Sequence, residues 1–515
     1  MPPDIGKELT VLAHTARTMG QRGLLNPGRP DRVVRQLWAL KTWGYGLGGE
    51  LRSAASRSPD LTAVVDEHRT LTYNQLLDAV FTRAVQLQAS APTSRDADSA
   101  LPTARPSPTG ARVIGLLRRN NADFVIDVIA CAVAGLDVVL MNTQHAAAQL
   151  ASIRDAQRID TWLCDDEFAT MVGAKPLPTV QPGVELRPPS REGRTVVLTS
   201  GTTGWPKGAR RPTSSGMAPL ISILSRIPIQ VCDRTLIAAP MFHTWGFAGL
   251  QLSLAMRATM VLRSRFDAAD VRDTVHREKC DVLFAVPVML QRLLDEPAET
   301  TSLRVVAVSG SALPGTLATD FMDAYGDILY NLYGSTEASW VSIATPADLR
   351  LDPTTAGRPP KGTDVRIIDG AIHVHNDMLF EGYTNGSGAR LVDGLLPTGD
   401  RGHWGEDGLL FVDGRADDMI ISGGENIHPA TIERVIAGMP AVSDVAVFGV
   451  PDREFGERPA AWVVTRPGQT VTADEIRETV RTLAARFCVP RDVHFLPELP
   501  RNAAGKVVRR QLPEF

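Results

Sequence analysis

RTVVLTSGTTGWPKG (residues 194–208) sets an apolar run, ending at Leu198, against a segment of three glycines, four hydroxyl side chains, one proline and one lysine. The apolar run reads as a buried strand, and a loop of that composition at its end suits an anion. Glycines let backbone N–H groups turn inward, and Ser and Thr add donors. Phosphate is one reading and a polar surface turn is the other. The stretch is not a Walker loop: Pro206 precedes Lys207, and Gly208 stands where a magnesium-binding hydroxyl belongs. No phosphate-capping helix is signalled after it, because ARRPTSSG carries a proline and two serines.

Outward from this loop, strand and helix signals alternate. ARVIGLL precedes NADFVIDVIACAVAG and DVVLMN, and LTYNQLLDAVFTRAVQLQ reads as a helix with Thr72 near its start. DVLFAV precedes PVMLQRLLD, and LRVVAVSGSALP precedes GTLATDFMDAYG. Such alternation predicts an α/β fold with largely parallel sheets. Residues 89–110 are rich in Ala, Ser, Pro and Thr without periodicity and read as a surface insertion. The character changes near GRADDMIISGGENIHP, beyond which helix and strand signals describe one small α+β domain. The expected division is an N-terminal helical extension (1–50), a large domain (51–414), a hinge (415–418) and a C-terminal lid domain (419–515).

The chain has 515 residues with 54 basic and 58 acidic side chains, a balance that makes no general electrostatic case for nucleic acid or a membrane surface. Its five cysteines are scattered and form no C-x-x-C, which suits a reducing cytoplasm and argues against a disulfide framework or structural zinc. No signal peptide is visible, and FVIDVIACAVAGLDVVLM (residues 124–141) reads as helix, turn and strand, not as a membrane span. In residues 1–50, Val33, Leu37 and Leu40 share a helical face ahead of LWALKTWGYGLGG. That segment is either a helix packed on the body or a lip touching a bilayer or an apolar substrate.

Further polar motifs fall at strand ends, where open α/β sheets place ligands. They are PMFHTWGF around His243, SGSALP with Ser311, NLYGSTE (residues 331–337), TGD ending at Asp400, GRADD with Arg415, and PRNAAGK with Lys506. Singly, each has an ordinary structural reading: a packed core histidine, a helix-start carboxylate, a common turn, a solvated lysine. His373 and His375 in HVH share a strand face without a third ligand.

In their order these motifs resemble the acyl-adenylate-forming superfamily of acyl- and aryl-CoA synthetases, peptide-synthetase adenylation domains and beetle luciferases, over residues 51–512. Within it, RNNADFVIDVIACAVAGLDVVLMNTQ and IISGGENIHPATIERV look like bacterial fatty acyl-CoA synthetases. The resemblance implies a large N-terminal domain of mostly parallel sheets flanked by helices plus a distorted barrel, and a small mobile C-terminal domain. It implies activation of a fatty carboxylic acid by ATP to acyl-AMP, then transfer to CoA, with Mg2+ as cofactor and a homodimer as one assembly.

By matching motif it assigns Thr199, Ser200, Gly201, Thr202, Thr203 and Gly204, with Lys207, to the leaving pyrophosphate. Ser311, Ala312, Asn331, Leu332, Tyr333, Gly334 and Ser335 frame the nucleotide. Thr336 reaches the α-phosphate, and Glu337, with Thr199, holds the metal. Asp400 accepts the ribose hydroxyls with help from Arg415, and Lys506 bridges carboxylate and α-phosphate. His243, Trp245, Gly246 and Gly310 shape the acyl pocket, the missing side chain of Gly246 keeping a tunnel open. Gly423 and Gly424 line the CoA channel, and Asp417 is the pivot.

The chain departs from the pattern at Trp205, at Ala371–Ile372 where Gly-Glu is usual, and at Ala503–Ala504. The competing readings are an acyl-AMP ligase loading a carrier-protein thiol, an aryl- or other carboxylate–CoA ligase, and a non-catalytic binding protein. No insertion is evident between Tyr333 and Arg415, which favours CoA over a carrier protein. Retention of Glu337, Asp400 and Lys506 together argues against the non-catalytic reading.

Overall fold

The structure, a computed structural model, describes residues 5–90, 112–180, 186, 189, 191–199, 207–214, 216–296, 301–388, 390–415, 418–422, 425–452, 456–484, 488–503 and 505–514. The chain divides into two compact units. The first comprises Met1–Ala285, Thr301–Val306 and Asn376–Ala389; the second comprises Val286–Thr300, Ala307–His375 and Arg390–Phe515.

Two sheets organise the first unit. One runs in the order Thr161–Cys164, Val113–Leu117, Asp137–Leu140, Thr195–Thr199, Lys207–Arg210, parallel except for the last strand. Val113–Leu117 and Asp137–Leu140 are buried along their whole length, as strands covered on both faces must be. Between them lies the helix Ala122–Val133, whose N-cap Asn121 accepts the Phe124 N–H at 2.9 Å. Gly135, at φ 74°, turns the chain back into the sheet, so residues 124–141 are helix, turn and strand as read.

The other sheet sets Val282–Ala285, Arg234–Ile237, Thr259–Leu262 and Thr62–Val65 parallel, with Thr70–Thr72 antiparallel at its edge. From that edge the chain enters the helix Tyr73–Ala89 through a capping box. Thr72 Oγ1 accepts the Gln75 N–H at 3.3 Å and Gln75 Oε1 accepts the Thr72 N–H at 2.9 Å.

The N-terminal segment is helical: Ile5–Gln21, Pro30–Trp43 and Leu47–Arg57. Leu47–Arg57 runs through residue 50 and buries Leu47, Leu51, Ala54 and Ala55. On Pro30–Trp43, Val33 and Leu40 are half-buried and Leu37 is exposed. Ala39 is buried, and Trp43 stacks on Phe81 with ring centroids 5.8 Å apart. Leu37 lies on the order of 140° around the helix from those anchors and is 61% exposed.

In the second unit, Leu329–Tyr333 pairs antiparallel with Ser342–Ala344. A meander of Asp364–Ile368, Ala371–His375, Leu396–Trp404 and Leu410–Arg415 follows, each strand antiparallel to the next. The expected distorted barrel is corrected: among the described residues this sheet is open. Its first strand is an edge guarded by exposed Asp364 and Arg366, which pair at 2.8 Å, and charge on an edge opposes further pairing.

A separate five-stranded sheet, with every strand between Ile420 and Phe495, carries the helices Pro429–Ala437 and Ala473–Leu483. Their Ile432, Ile436, Ile476 and Val480 pack with Val447, Ala461 and Val463 of the sheet. Here Glu433 accepts the Val447 N–H at 2.8 Å, and enclosure pushes its carboxyl from 4.5 up to about 7. The folded chain therefore holds a proton that the unfolded chain releases as pH rises from about 4.5 to about 7, so stability falls through that window and stays lowered above it. Glu433→Gln keeps the acceptor without the charge. Thermal melts should show it more stable than wild type by about 1–3 kcal/mol at pH values above about 7 and little changed near pH 5. Equal shifts at both pH values would remove this account.

Candidate active site

The opening stretch proves to be the crossing between two antiparallel strands. Thr199 ends one and Lys207 begins its partner, the two standing opposite each other, with Thr199 Oγ1 donating to Lys207 O at 3.2 Å. This explains why no helix signal follows the glycines: the chain returns as a strand. Lys207 is exposed, and its Nζ lies 5.6 Å from the Tyr383 ring centroid. Ser200, Gly201, Thr202, Thr203, Gly204 and Trp205 lie outside the described residues.

His243 is half-buried at the N-cap of the helix Thr244–Ala255, with its ring 4.7 Å from that of Phe242. The segment leading to it is held by a residue that sequence reasoning missed. Asn120 is buried; its Nδ2 donates to Ile237 O and Ala239 O, both at 3.0 Å, and its Oδ1 accepts the Met241 N–H at 2.8 Å. It thus stitches a strand end to the PMFH turn through three bonds. The available signal was an asparagine in RRNN directly after a buried strand, where a lone amide in a polar run looks like solvent-facing loop.

Two neighbours of His243 are occupied with packing. Trp245 is buried, donates from Nε1 to Ala285 O at 3.0 Å, and sits 4.9 Å from the Phe284 ring. A Cβ on Gly246 would stand 2.3 Å from Pro240 O and 2.5 Å from Ala239 O. The expectation of an open tunnel at Gly246 is therefore corrected: its vacant side is filled by backbone carbonyls, and any side chain there displaces main chain.

In the second unit, Gly310 (φ 101°), half-buried Ser311 and exposed Ala312 follow the strand Val305–Val308. Asn331 and Leu332 are buried in their strand. Tyr333 is half-buried, and its hydroxyl donates to Asp400 Oδ2 at 2.5 Å with Thr398 Oγ1 at 3.4 Å. The Asp400 N–H donates to Thr398 Oγ1 at 3.1 Å. Arg415, directly across the strand pair, brings Nη1 to 3.6 Å from Asp400 Oδ1. Burial raises the Asp400 carboxyl above the usual carboxylate range, while the Tyr333 hydrogen bond, Arg415 and Lys506 pull it back. Burial and the neighbouring Asp400 charge push the Tyr333 phenol well up, so it stays a donor.

A tight turn follows Tyr333. A Cβ on Gly334 would lie 2.2 Å from Ser339 O, and Ser335 Oγ accepts the Ala338 N–H at 3.0 Å. Thr336 and Glu337 stand half-buried within it.

Lys506 sits on a second turn. Its N–H donates to Asn502 Oδ1 at 2.9 Å, and Gly505, at φ 78°, donates to Asn502 O at 2.8 Å. Gly505 is buried: a Cβ there would lie 3.3 Å from Val288 Cγ1 and 3.8 Å from Ser311 Oγ. The lysine turn thus rests on the SGSALP segment, with the Lys506 side chain exposed. Arg501 braces it, donating from Nη1 to Gly505 O at 2.6 Å and from Nη2 to both carboxylate oxygens of Asp444 at 2.8 Å. Neither Arg501 nor Asp444 was singled out in the sequence.

Asp417, Gly423 and Gly424 lie outside the described residues. Among the described residues no group of three or more His, Cys, Asp or Glu could hold a metal ion. His373 is buried with Nδ1 3.0 Å from Ala371 O, and His375 is exposed.

Comparison with known proteins identifies the family. Residues 108–384 match the AMP-binding enzyme family, and residues 431–506 match the AMP-binding enzyme C-terminal domain. The chain is 32% identical to the 3-[(3aS,4S,7aS)-7a-methyl-1,5-dioxo-octahydro-1H-inden-4-yl]propanoyl:CoA ligase of Rhodococcus jostii (strain RHA1), over 90% of this chain and 97% of that one. It is 29% identical to the 2-succinylbenzoate–CoA ligase of Bacillus subtilis (strain 168), with the same coverage. The o-succinylbenzoate CoA synthetase of Bacillus subtilis, solved with ATP and magnesium ion, superposes with a TM-score of 0.74 at 28% identity, covering 90% of this chain and 98% of that one. These relatives act on ring-bearing acids, so the likeness to fatty acyl-CoA synthetases is not what they carry. The chain belongs to the AMP-binding enzyme family of acyl-adenylate-forming, AMP-releasing acid–thiol ligases.

Proposed function

We propose that the protein couples a ring-bearing carboxylic acid to CoA in two steps. A carboxylate oxygen attacks the α-phosphorus of ATP and pyrophosphate leaves. The CoA thiolate then attacks the acyl carbon and AMP leaves. The observation that carries this reading is the buried Gly505 against Ser311, which supports Lys506 acting in the same unit as Tyr333, Asp400 and Arg415. The ring preference is supported by the succinylbenzoate and bicyclic propanoyl ligases among the relatives. Pyrophosphate release and thioester formation with free CoA, measured over aryl acids, bicyclic propanoates and straight-chain acids, test it together. Activity confined to straight chains would restore the fatty-acid reading. Adenylate formation without transfer to free CoA would favour a carrier-protein acceptor.

The residues fit magnesium. Glu337 is one half-buried carboxylate with no acidic cluster around it among the described residues, and this cation takes one or two carboxylates together with substrate phosphates. Bound there, the ion would supply charge neutralisation at the phosphates. Glu337→Gln should raise the magnesium concentration giving half-maximal pyrophosphate release by roughly tenfold. Overlaying titrations of variant and wild type would remove Glu337 from the role.

Asn120→Asp tests the clamp behind His243. The carboxylate keeps the acceptor for Met241 N–H but turns negative oxygen toward Ile237 O and Ala239 O. Loss of two buried donor bonds should cost about 1–3 kcal/mol of stability. If the clamp sets the His243 segment, KM for the acid rises roughly tenfold while KM for ATP stays within about twofold. Equal changes in both constants would make Asn120 a stability residue only.

A further inference from the structure

The helix Pro30–Trp43 presents an apolar ridge that the active site does not use. Val34, Leu37 and Trp38 are 65%, 61% and 66% exposed. At spacings of three and four residues they are neighbours on one face, which distinguishes them from scattered surface apolars. The opposite face is anchored through Ala39 and through Trp43 on Phe81, so the ridge is displayed by a helix fixed to its unit.

Cations frame the ridge. Lys41 Nζ stands 5.9 Å over the Trp38 ring, and Arg35 and Arg29 are both exposed, sharing Asp31. Residues 1–45 carry seven basic and three acidic side chains, in a chain with 54 basic and 58 acidic overall. The basic character is therefore concentrated in the segment that carries the ridge, and the remainder of the chain is acidic.

From this we infer that the helix docks the protein on an anionic bilayer surface, lying in the plane of the interface. Trp and Leu enter the headgroup boundary, the Lys and Arg heads meet lipid phosphates, and the acidic remainder is oriented away. No helix among the described residues is long and apolar enough to cross a membrane, so the contact lies on the surface. Three side chains give weak apolar attachment alone, and anionic lipid supplies the second signal. A second copy of the chain fits less well, because three side chains cover roughly half of the ~800 Å² per partner that a stable pair needs. The inference does not depend on which acid the active site takes.

The test is cosedimentation of the full chain with phosphatidylcholine vesicles and with mixed phosphatidylcholine–phosphatidylglycerol vesicles, at low and high salt. Wild type should bind the anionic vesicles roughly tenfold or more above the neutral ones, and high salt should weaken this. Leu37→Glu with Trp38→Glu should lose roughly tenfold or more of that binding while pyrophosphate release with a soluble acid is unchanged. Both side chains are exposed, so folding is not at risk; Lys41→Glu, giving a smaller and salt-sensitive loss, is an independent check. Wild type that stays in the supernatant with anionic vesicles, or a double variant that pellets equally, overturns the inference. A wild-type dimer that the double variant makes monomeric, with no vesicle binding, overturns it in favour of self-association.

Discussion

Lys506→Ala lowers pyrophosphate release by roughly 10²–10³ while the affinity for ATP changes little. The reason is where the charge develops. In the proposed adenylation, the carboxylate oxygen gives up charge as it bonds to phosphorus and negative charge shifts to the α-phosphate oxygens and the leaving pyrophosphate, where an aimed cation stabilises the transition state more than resting ATP. The structure supplies the means of aiming it. Gly505 is buried against Val288 and Ser311, Asn502 closes the turn onto the Lys506 N–H, and Arg501 ties Gly505 O to Asp444. The lysine side chain itself is exposed and supports no packing, so the variant should melt within about 0.5 kcal/mol of wild type. That separates a chemical loss from a folding one. Pyrophosphate release in single turnover and nucleotide binding by calorimetry are the measurements. Undiminished release would remove Lys506 from the chemistry; loss of ATP binding in proportion would make it a ground-state contact.

How far the sequence leads depends on the range of the interaction. The strands Val113–Leu117 and Asp137–Leu140 were legible because burial on both faces leaves continuous apolar runs. The capping box at Thr72 was legible in its first residue because it closes within three positions. That no helix directly follows the glycine-rich stretch was legible because proline and serine stand where a helix would start.

What failed was nonlocal. The inward face of Pro30–Trp43 was left open because Trp43 finds Phe81, a partner 38 positions away that periodicity cannot see. The barrel expectation failed because closure depends on two edges meeting, and nothing in either strand encodes that. Asn120 escaped because its partners, Ile237, Ala239 and Met241, lie more than a hundred residues on. The Lys506 motif was read for its cation alone; the arginine that fixes the turn works through Asp444, 57 positions earlier.

Asp417→Pro should separate the two half-reactions: single-turnover pyrophosphate release persists while thioester formation falls by roughly 10² or more. In the proposed function one site serves two chemistries, and we propose that the lysine used for adenylation withdraws before the thiol enters. The chain passes between the two parts once. Every strand of the sheet that includes Val442–Asp452 and Gly456–Thr465 lies between Ile420 and Phe495, so the chain reaches it from the strand Leu410–Arg415 by a single crossing. Residue 417 is on that crossing. Before it, Arg415 pairs across the meander with Asp400, and Gly414 adopts φ 136°, which a side chain would resist. We propose that the crossing changes its backbone angles between the half-reactions. Proline locks φ near about −65° and restricts residue 416 as well. With the arrangement that rests Gly505 on Ser311 held in place, adenylation continues and the thiol has no entry. The check is one quench-flow experiment following pyrophosphate and acyl-CoA from the same turnover. A folded variant in which both products fall together, or in which acyl-CoA keeps pace with pyrophosphate, would take the pivot away from residue 417.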